Sequence, residues 1–380
     1  MPSKGTSEPA VLAAEDFDAL LDALRDEGYR VVGPTVRDGA IVYAELGSAS
    51  ALPAGWTDEQ APASYRLARR NDEALFGYAV GPHSWKQELL PPRVKLWQAS
   101  RNGTLAVEEE PIASEPTAFV GVRPCELAAI AIQDTVFLGG RFQDRDYAAR
   151  RSDVFIVAVD CGDPSSLCFC TSVAGGPGAR DGFDLALTEL LDGGHRFLVR
   201  AGSPSGEALL AKLPVTPATA TDVEASCEVV ARAARDMDGR FDSTDVHDVL
   251  LRNLEADRWD EVAARCLGCG NCTLVCPTCF CTHVEDASAL DGSTAERTRV
   301  WDTCFSLQYA EMHGGNTRPT TRARYRQWLT HKLATWEDQF GSLGCVGCGR
   351  CIAWCPVGID IREEVRAIRA EEEQHELAHA

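Results

Sequence analysis

No stretch of this sequence approaches the roughly 18 uncharged apolar residues that a membrane-spanning helix needs. Positive charge is also scarce. There are 37 Lys and Arg against 57 Asp and Glu, a formal net charge of −20, which argues against nucleic acid or an anionic membrane surface as a general partner. No Gly-x-Gly-x-x-Gly or phosphate-loop pattern occurs, so the chain offers no nucleotide or flavin cradle of its own. The N-terminus, "MPSKGTSEPAVLAAEDFDALLDALRDEGY", lacks an apolar signal core and is interrupted early by acidic residues. These absences together predict a soluble, cytoplasmic chain.

What the sequence does have is cysteine: sixteen in 380 residues. In a reducing compartment structural disulfides are rare, so such a load points to metal. The length allows two domains, with room for a third, and the 45% hydrophobic content is enough for sizeable cores.

Apolar Leu12, Phe17, Leu20, Leu21 and Leu24 fall at helical spacing over residues 12–27, with Gly28 as a stop. "YRVVGPTVRDGAIVYAEL" (29–46) alternates around the turn signals Gly33-Pro34 and Asp38-Gly39 and reads as a hairpin or meander. "AFVGV" (118–122) runs through a turn into the helical pattern "RPCELAAIAIQDTVF", and "DVFIVAVD" (153–160) runs into Cys161. A third run, "RFLVRAG" (196–202), follows the helix-like "DGFDLALTELLDGG". Strands alternating with helices predict an α/β region with some parallel pairing, whose ligands collect at the carboxyl ends of strands. Cys125 and Cys161 fall at such ends. Residues 202–222 are rich in turn formers. A helical stretch ending near Gly239 comes next, and "DVHDVLLRNLEADRWDEVAA" reads as one helix feeding the first cysteine run. The expectation is a mixed α+β and α/β chain. An N-terminal α/β domain, residues 1–245, precedes a mostly helical, ferredoxin-like domain, residues 246–380, with a long insertion at 278–344.

The one internal repeat is "CLGCGNCTLVCP" at 266–277, recurring as "CVGCGRCIAWCP" at 345–356. Three cysteines spaced by two residues wrap one face of a [4Fe-4S] cluster, and the fourth, three residues on and followed by proline, ordinarily serves the other cluster. That pattern predicts one cluster on Cys266, Cys269, Cys272 and Cys355 and another on Cys345, Cys348, Cys351 and Cys276. Gly268, Gly270, Gly347 and Gly349 let the backbone turn N–H groups toward sulfur, and Pro277 and Pro356 redirect the chain. Zinc sites also use Cys-x2-Cys pairs, but rarely three such spacings twice with proline after each.

Eight cysteines remain. Cys125, Cys161, Cys168 and Cys170 lie in "GVRPCELAAI" and "DCGDPSSLCFC" and could converge on a sheet edge to bind a third [4Fe-4S] cluster; buried, inert thiols are the alternative. Cys279, Cys281 and Cys304 form an incomplete set. They could hold a cluster with His283 or Asp302 as fourth ligand, but packing around Cys276, with Phe280 and Phe305 as shields, is the favoured reading. Cys227 sits in a helical pattern and is expected to be buried. The basic segment Arg318, Arg322, Arg324, Arg326 and Lys332 could bind an anion or an acidic partner; a solvated helix offsetting nearby anionic clusters is the plainer account. Nothing in the sequence marks a general base or a nucleophile, so no catalytic residue is expected.

"RCLGCGNCTLVCPTCFCTHVED", "RVWDTC", "YRQWLTHKL" and "GCVGCGRCIAWCPVGIDIREEV" together resemble the iron–sulfur β subunit of cytoplasmic [NiFe] hydrogenases of the sulfhydrogenase type. They are equally similar to the A-subunit family of anaerobic sulfite reductases. The likeness runs over about residues 65 to 366, and the "CPTCFC" and "WDTC" neighbourhoods are its more discriminating marks. It implies a non-catalytic electron-transfer subunit in a hetero-oligomer. Such a subunit passes electrons between catalytic partners and a flavin- and NAD(P)-binding reductase subunit. The catalytic partners would be the small and large subunits of a [NiFe] hydrogenase or the subunits of a sulfite reductase. A chain with its own sulfur-substrate cluster, built on Cys279, Cys281 and Cys304, is the alternative from a different class.

Overall fold

The computed structural model describes residues 8–102, 104–112, 114–237 and 239–379. Its N-terminal strands are β1 (Ala10–Ala13), β2 (Arg30–Arg37), β3 (Ala40–Glu45), β4 (Trp56–Ala61), β5 (Ser64–Arg69), β6 (Arg93–Asn102) and β7 (Thr104–Glu109). They continue as β8 (Thr117–Val122), β9 (Val154–Val159), β10 (Leu185–Leu190), β11 (Arg196–Ala201) and β12 (Thr216–Pro217). The runs "TAFVGV" and "VFIVAV" have no polar alternation because both faces of β8 and β9 are covered. They form the middle of an eight-stranded mixed sheet in the order β12-β1-β11-β10-β9-β8-β2-β3. The stretch β10-β9-β8-β2 is parallel; β1, β3, β11 and β12 pair antiparallel.

The β2–β3 hairpin turns at Asp38 and Gly39, both with positive φ, as its two-residue loop requires. Gly33 and Pro34, expected to be a turn, lie within β2 instead. On one face of the sheet Phe17, Leu20, Leu21 and Leu24 pack with Phe155, Val157 and Phe197. On the other, Trp85, Phe119, Ile130 and Tyr147 close the layer.

Three expectations are corrected here. The first helix spans Phe17–Asp26, and Leu12 belongs to β1, paired with Phe197. "LALTEL", read as part of a helix, is β10, because an apolar run this short has no decisive period and the neighbouring β9 supplies its hydrogen bonds. "DVHDVLLRNLEADRWDEVAA" is two helices, Val246–Arg252 and Arg258–Arg265, rather than one. The turn-rich 202–222 segment holds a short helix, Pro204–Leu210, begun by the Ser203 cap.

Residues beyond 245 build a second core around Trp259, Tyr325, Trp328, Leu329, Leu333, Ile352, Val365 and Ile368. Part of the 278–344 segment is strand. β13 (Thr282–Ser288) and β14 (Thr294–Trp301) join β6 and β7 in a four-stranded antiparallel sheet, order β13-β14-β6-β7. That sheet therefore joins chain from both sides of residue 245. No helix among the described residues is long and apolar enough to cross a membrane.

Candidate metal centres

Both cysteine runs begin as loops and end in a single helical turn, Asn271–Leu274 in the first and Arg350–Ala353 in the second. Each turn starts from a left-handed glycine, Gly270 (φ 76°) and Gly349 (φ 74°). The loop glycines aim backbone N–H groups at sulfur: Gly268 N donates to Cys266 Sγ and Gly347 N to Cys345 Sγ, both at 3.4 Å, and Ile359 N donates to Cys355 Sγ at 3.3 Å. Hydrogen bonds of this kind hold and tune a thiolate-ligated cluster.

Cys266, Cys269 and Cys272 line one cavity together with Cys351 and Cys355 of the second run. Its other walls include Phe305, Tyr325, Trp328 and Ile359. Of the two second-run cysteines, Cys355 is the one that acts on Cys266 and Cys272, and the apolar walls shield the inner side of the cavity from water. Burial pushes the Cys272 thiol well up, with Cys304, Cys266, Cys355 and Cys269 acting the same way as nearby anions. Among the described residues no three His, Cys, Asp or Glu side chains converge on a point where a single metal ion would sit; these thiols ring a cavity instead. Its thiol set, its N–H donors to sulfur and its apolar walls fit a cubane cluster.

The second set is Cys345, Cys348, Cys351 and Cys276. Burial pushes Cys351 well up, and the neighbours adding to that are Cys345, Cys348 and Cys276. Lys332 joins them. Its ammonium donates to Cys276 Sγ at 3.2 Å, to Thr278 Oγ1 at 3.1 Å and to Gly344 O at 3.0 Å. A hydrogen bond from the Cys279 thiol holds Cys276 well below the ordinary thiol range, and Lys332, Thr278 and Lys86 act in the same direction against the effect of burial.

The second run is locked against loops and a helix of the N-terminal region. Gly347 O accepts from Phe169 N at 2.8 Å. A Cβ on Gly347, whose φ is +66°, would stand 2.6 Å from Cys170 Cα, so only glycine fits. Arg350 is fully buried, pairs with Glu126 at 2.6 Å and donates to Gly81 O and His83 O. Glu126 follows Cys125 at the start of the helix Pro124–Leu138, beyond the carboxyl end of β8.

The N-terminal quartet lies beside this contact. Cys168 and Cys170 are buried with Met237, Ala79 and the partly buried Cys125 in one small apolar cluster. Burial pushes Cys168 up to about 12, and Cys161 and Cys348 add to the shift. Cys161 begins the loop after β9, as expected from the strand-end rule.

Cys279, Cys281 and Cys304 lie between the two ferredoxin-type sets. Burial pushes Cys304 up to about 12 with Cys281 adding to the shift, and Cys304 in turn adds to the upward shift of Cys272. Phe280 packs edge-on against Trp336 and Phe137, and Phe305 lines the first cavity. His283 and Asp302 stand 3.6 Å apart, nitrogen to oxygen. Cys227 corrects an expectation: it is exposed on the helix Ala220–Asp236, one position off the buried face that carries Asp222, Ser226 and Ala233.

The basic segment is mostly spoken for. Arg322 pairs with Glu255 and Asp260, Arg326 with Glu255, and Arg324 donates to the carbonyls of Phe305 and Arg318. Lys332 faces inward, which the charge pattern concealed. Lys86 was also missed. It is buried, donates to Leu274 O at 3.3 Å and Cys279 O at 3.2 Å, and lies 4.0 Å over the Trp301 ring. In "SWKQELL" nothing marks that lysine as interior.

A family model for a 4Fe-4S dicluster domain matches residues 265–359. Over 361 residues the chain is 30% identical to the sulfhydrogenase 2 subunit beta of Pyrococcus furiosus, covering 93% of this chain and 97% of that one. The chain belongs to the sulfhydrogenase β-subunit family. The match extends far beyond the dicluster segment, so the likeness takes in most of the N-terminal region as well.

Proposed function

We propose that this chain is the iron–sulfur electron-transfer subunit of a cytoplasmic [NiFe] hydrogenase complex, standing between the small and large catalytic subunits on one side and a flavin- and NAD(P)-binding reductase subunit on the other. The observation that carries the reading is the cavity in which Cys266, Cys269 and Cys272 meet Cys351 and Cys355 of the other run, where Cys355 acts on Cys266 and Cys272 while Cys351 groups with Cys345, Cys348 and Cys276. That arrangement supports the exchanged ligand pattern, with Cys345, Cys348, Cys351 and Cys276 as the second set. A cubane held by either set supplies one-electron transfer. The protein's own part is to exclude water with Phe305, Tyr325 and Trp328 and to direct N–H groups at sulfur. Cys125, Cys161, Cys168 and Cys170 are the proposed ligands of a third cluster beside the second. The burial of Cys125, Cys168 and Cys170 with Met237, the nearness of Cys161 to Cys168 and Cys170, and the Phe169–Gly347 hydrogen bond to the second run support that.

The test is iron and acid-labile sulfide per chain on anaerobically reconstituted protein, together with metal analysis of the complex recovered through a tag on this chain. About eight of each supports two clusters and about twelve supports three. Co-recovery of nickel and flavin in stoichiometric amount supports the hydrogenase assignment. A siroheme-containing partner in place of nickel would instead favour a sulfite reductase, and zinc in a colourless preparation would sink the iron–sulfur reading.

A further inference from the structure

Two lysines are buried beside one thiol set, and among the described residues neither has a carboxylate within ion-pair reach. Lys332 is 3% exposed and Lys86 5%. The partners of Lys332 are one sulfur, one hydroxyl and one carbonyl. Those of Lys86 are two carbonyls and an indole face. A buried ammonium without a counter-ion is strongly unfavourable, so both need negative charge close by. The nearest source is the sulfur of Cys276, 3.2 Å from the Lys332 ammonium, and Lys86 reaches the same stretch of chain through Cys279 O.

Lys332 is held there by an unusual backbone. His331–Thr335 is a five-residue π-helical turn between the helices Thr321–Thr330 and Trp336–Phe340. Such turns insert an extra residue and re-aim a side chain, and they recur at functional sites. Here the turn points Lys332 into the core while Gly344 N returns to Lys332 O at 2.8 Å. Thr278 completes the arrangement, within 3.1 Å of Cys276 Sγ and donating to Gly344 O at 2.7 Å. The first cavity has no equivalent: its lining contains no lysine or arginine.

We propose that Lys332, assisted by Lys86, is a fixed-charge positioning residue that raises the reduction potential of the centre held by Cys276, Cys345, Cys348 and Cys351 above that of the centre held by Cys266, Cys269, Cys272 and Cys355. The inference rests on the ligand assignment proposed above. One-electron reduction adds one negative charge to a cluster and moves no proton. An ammonium in low dielectric stabilises that added charge, and its effect is largest where water is excluded. The two centres would then differ in potential although their ligand runs are nearly the same in sequence. An electron arriving at the first would pass to the second, next to the N-terminal quartet.

The experiment is an EPR-monitored redox titration of the full chain, anaerobically reconstituted, with reduced viologen as one-electron donor. Wild type is compared with Lys332→Met, Lys332→Gln, Lys332→Arg and Lys86→Met, and iron is counted in each. Lys332→Met and Lys332→Gln should keep their iron and make one cluster at least about tenfold harder to reduce, a shift of about 59 mV for a one-electron couple. Lys332→Arg should stay near wild type, Lys86→Met should shift the same cluster less, and the other clusters should not move. Unchanged potentials in iron-replete Lys332→Met and Lys332→Gln would overturn the inference. So would loss of iron from all three uncharged variants, which would mark the lysines as assembly residues. Failure of the underlying ligand assignment looks different: Cys276→Ser and Cys345→Ser would then alter the EPR signals of different clusters.

Discussion

Cys269 is the one exposed thiol of the eight in the two runs; the other seven are partly or fully buried. Replacing it with Ser removes a proposed ligand without disturbing packing. Cys269→Ser should therefore lose about four iron and four sulfide per chain while the rest of the chain stays folded, as read by iron analysis and far-ultraviolet circular dichroism. Gly347 tests the opposite kind of sensitivity. Any side chain there meets the Cys170 backbone at 2.6 Å and also occupies a left-handed φ. Gly347→Ala should separate the second run from the N-terminal quartet and lower iron content, although no ligand is touched. The sequence pattern made all eight ligand candidates and the role of these glycines legible. It concealed Lys332 and Lys86, because a lysine's burial depends on what the fold packs around it and not on its neighbours in the chain.

The helix Ala220–Asp236 begins with a reciprocal cap: Thr219 Oγ1 accepts from Asp222 N, and the Asp222 carboxylate accepts from Thr219 N. Thr219→Ala should cost about 1 kcal/mol, measured by denaturant unfolding. The Asp222 carboxyl is held down to about 2 by the Thr219 hydroxyl and backbone N–H and by Arg196. A folded value below the unfolded carboxylate value means stability that is present above roughly pH 4 and lost as pH falls towards about 2. Melting curves through that window should show wild type losing more stability than Asp222→Asn. The helix Pro124–Leu138 is fastened differently, through the buried Glu126–Arg350 pair. Glu126→Ala leaves Arg350 buried without its partner and should cost about 3–5 kcal/mol. The element pattern was readable where strands were long and apolar, as in β8 and β9. It failed at "LALTEL" and at the break between residues 252 and 258, where a neighbouring strand or a packing constraint overrides a weak local period.

The second cysteine run is bound to the N-terminal region by the Arg350–Glu126 pair and by the Phe169–Gly347 hydrogen bond, and the helix that follows it adds a contact of Arg362 with Ser166 O. β6 and β7 pair with strands from the 278–344 segment. Metal loss should thus be felt across the chain. The cluster-free protein, prepared by oxidation and chelation, should unfold at a lower temperature than the reconstituted one, because binding to the folded thiol set is folding free energy. A transition unchanged by iron removal, followed by calorimetry under argon, would show that the described cores stand without the clusters. A negative charge of −20 also leaves the molecule's docking preferences to local patches, since the overall field repels acidic surfaces.

By itself the sequence determined the chemistry. Two Cys-x2-Cys-x2-Cys-x3-Cys-Pro runs permit thiolate-ligated clusters because spacing alone dictates which sulfurs a tight loop can present. It also determined the central strands, because uninterrupted apolar β-branched runs must be covered on both faces. Only the tertiary structure decided that thiols of the second run line a cavity with the first three, that Cys125, Cys168 and Cys170 share one buried cluster, and that Lys332 and Lys86 turn inward beside Cys276 and Cys279. Those are relations between residues tens to hundreds of positions apart, and no local pattern encodes a distance across a core.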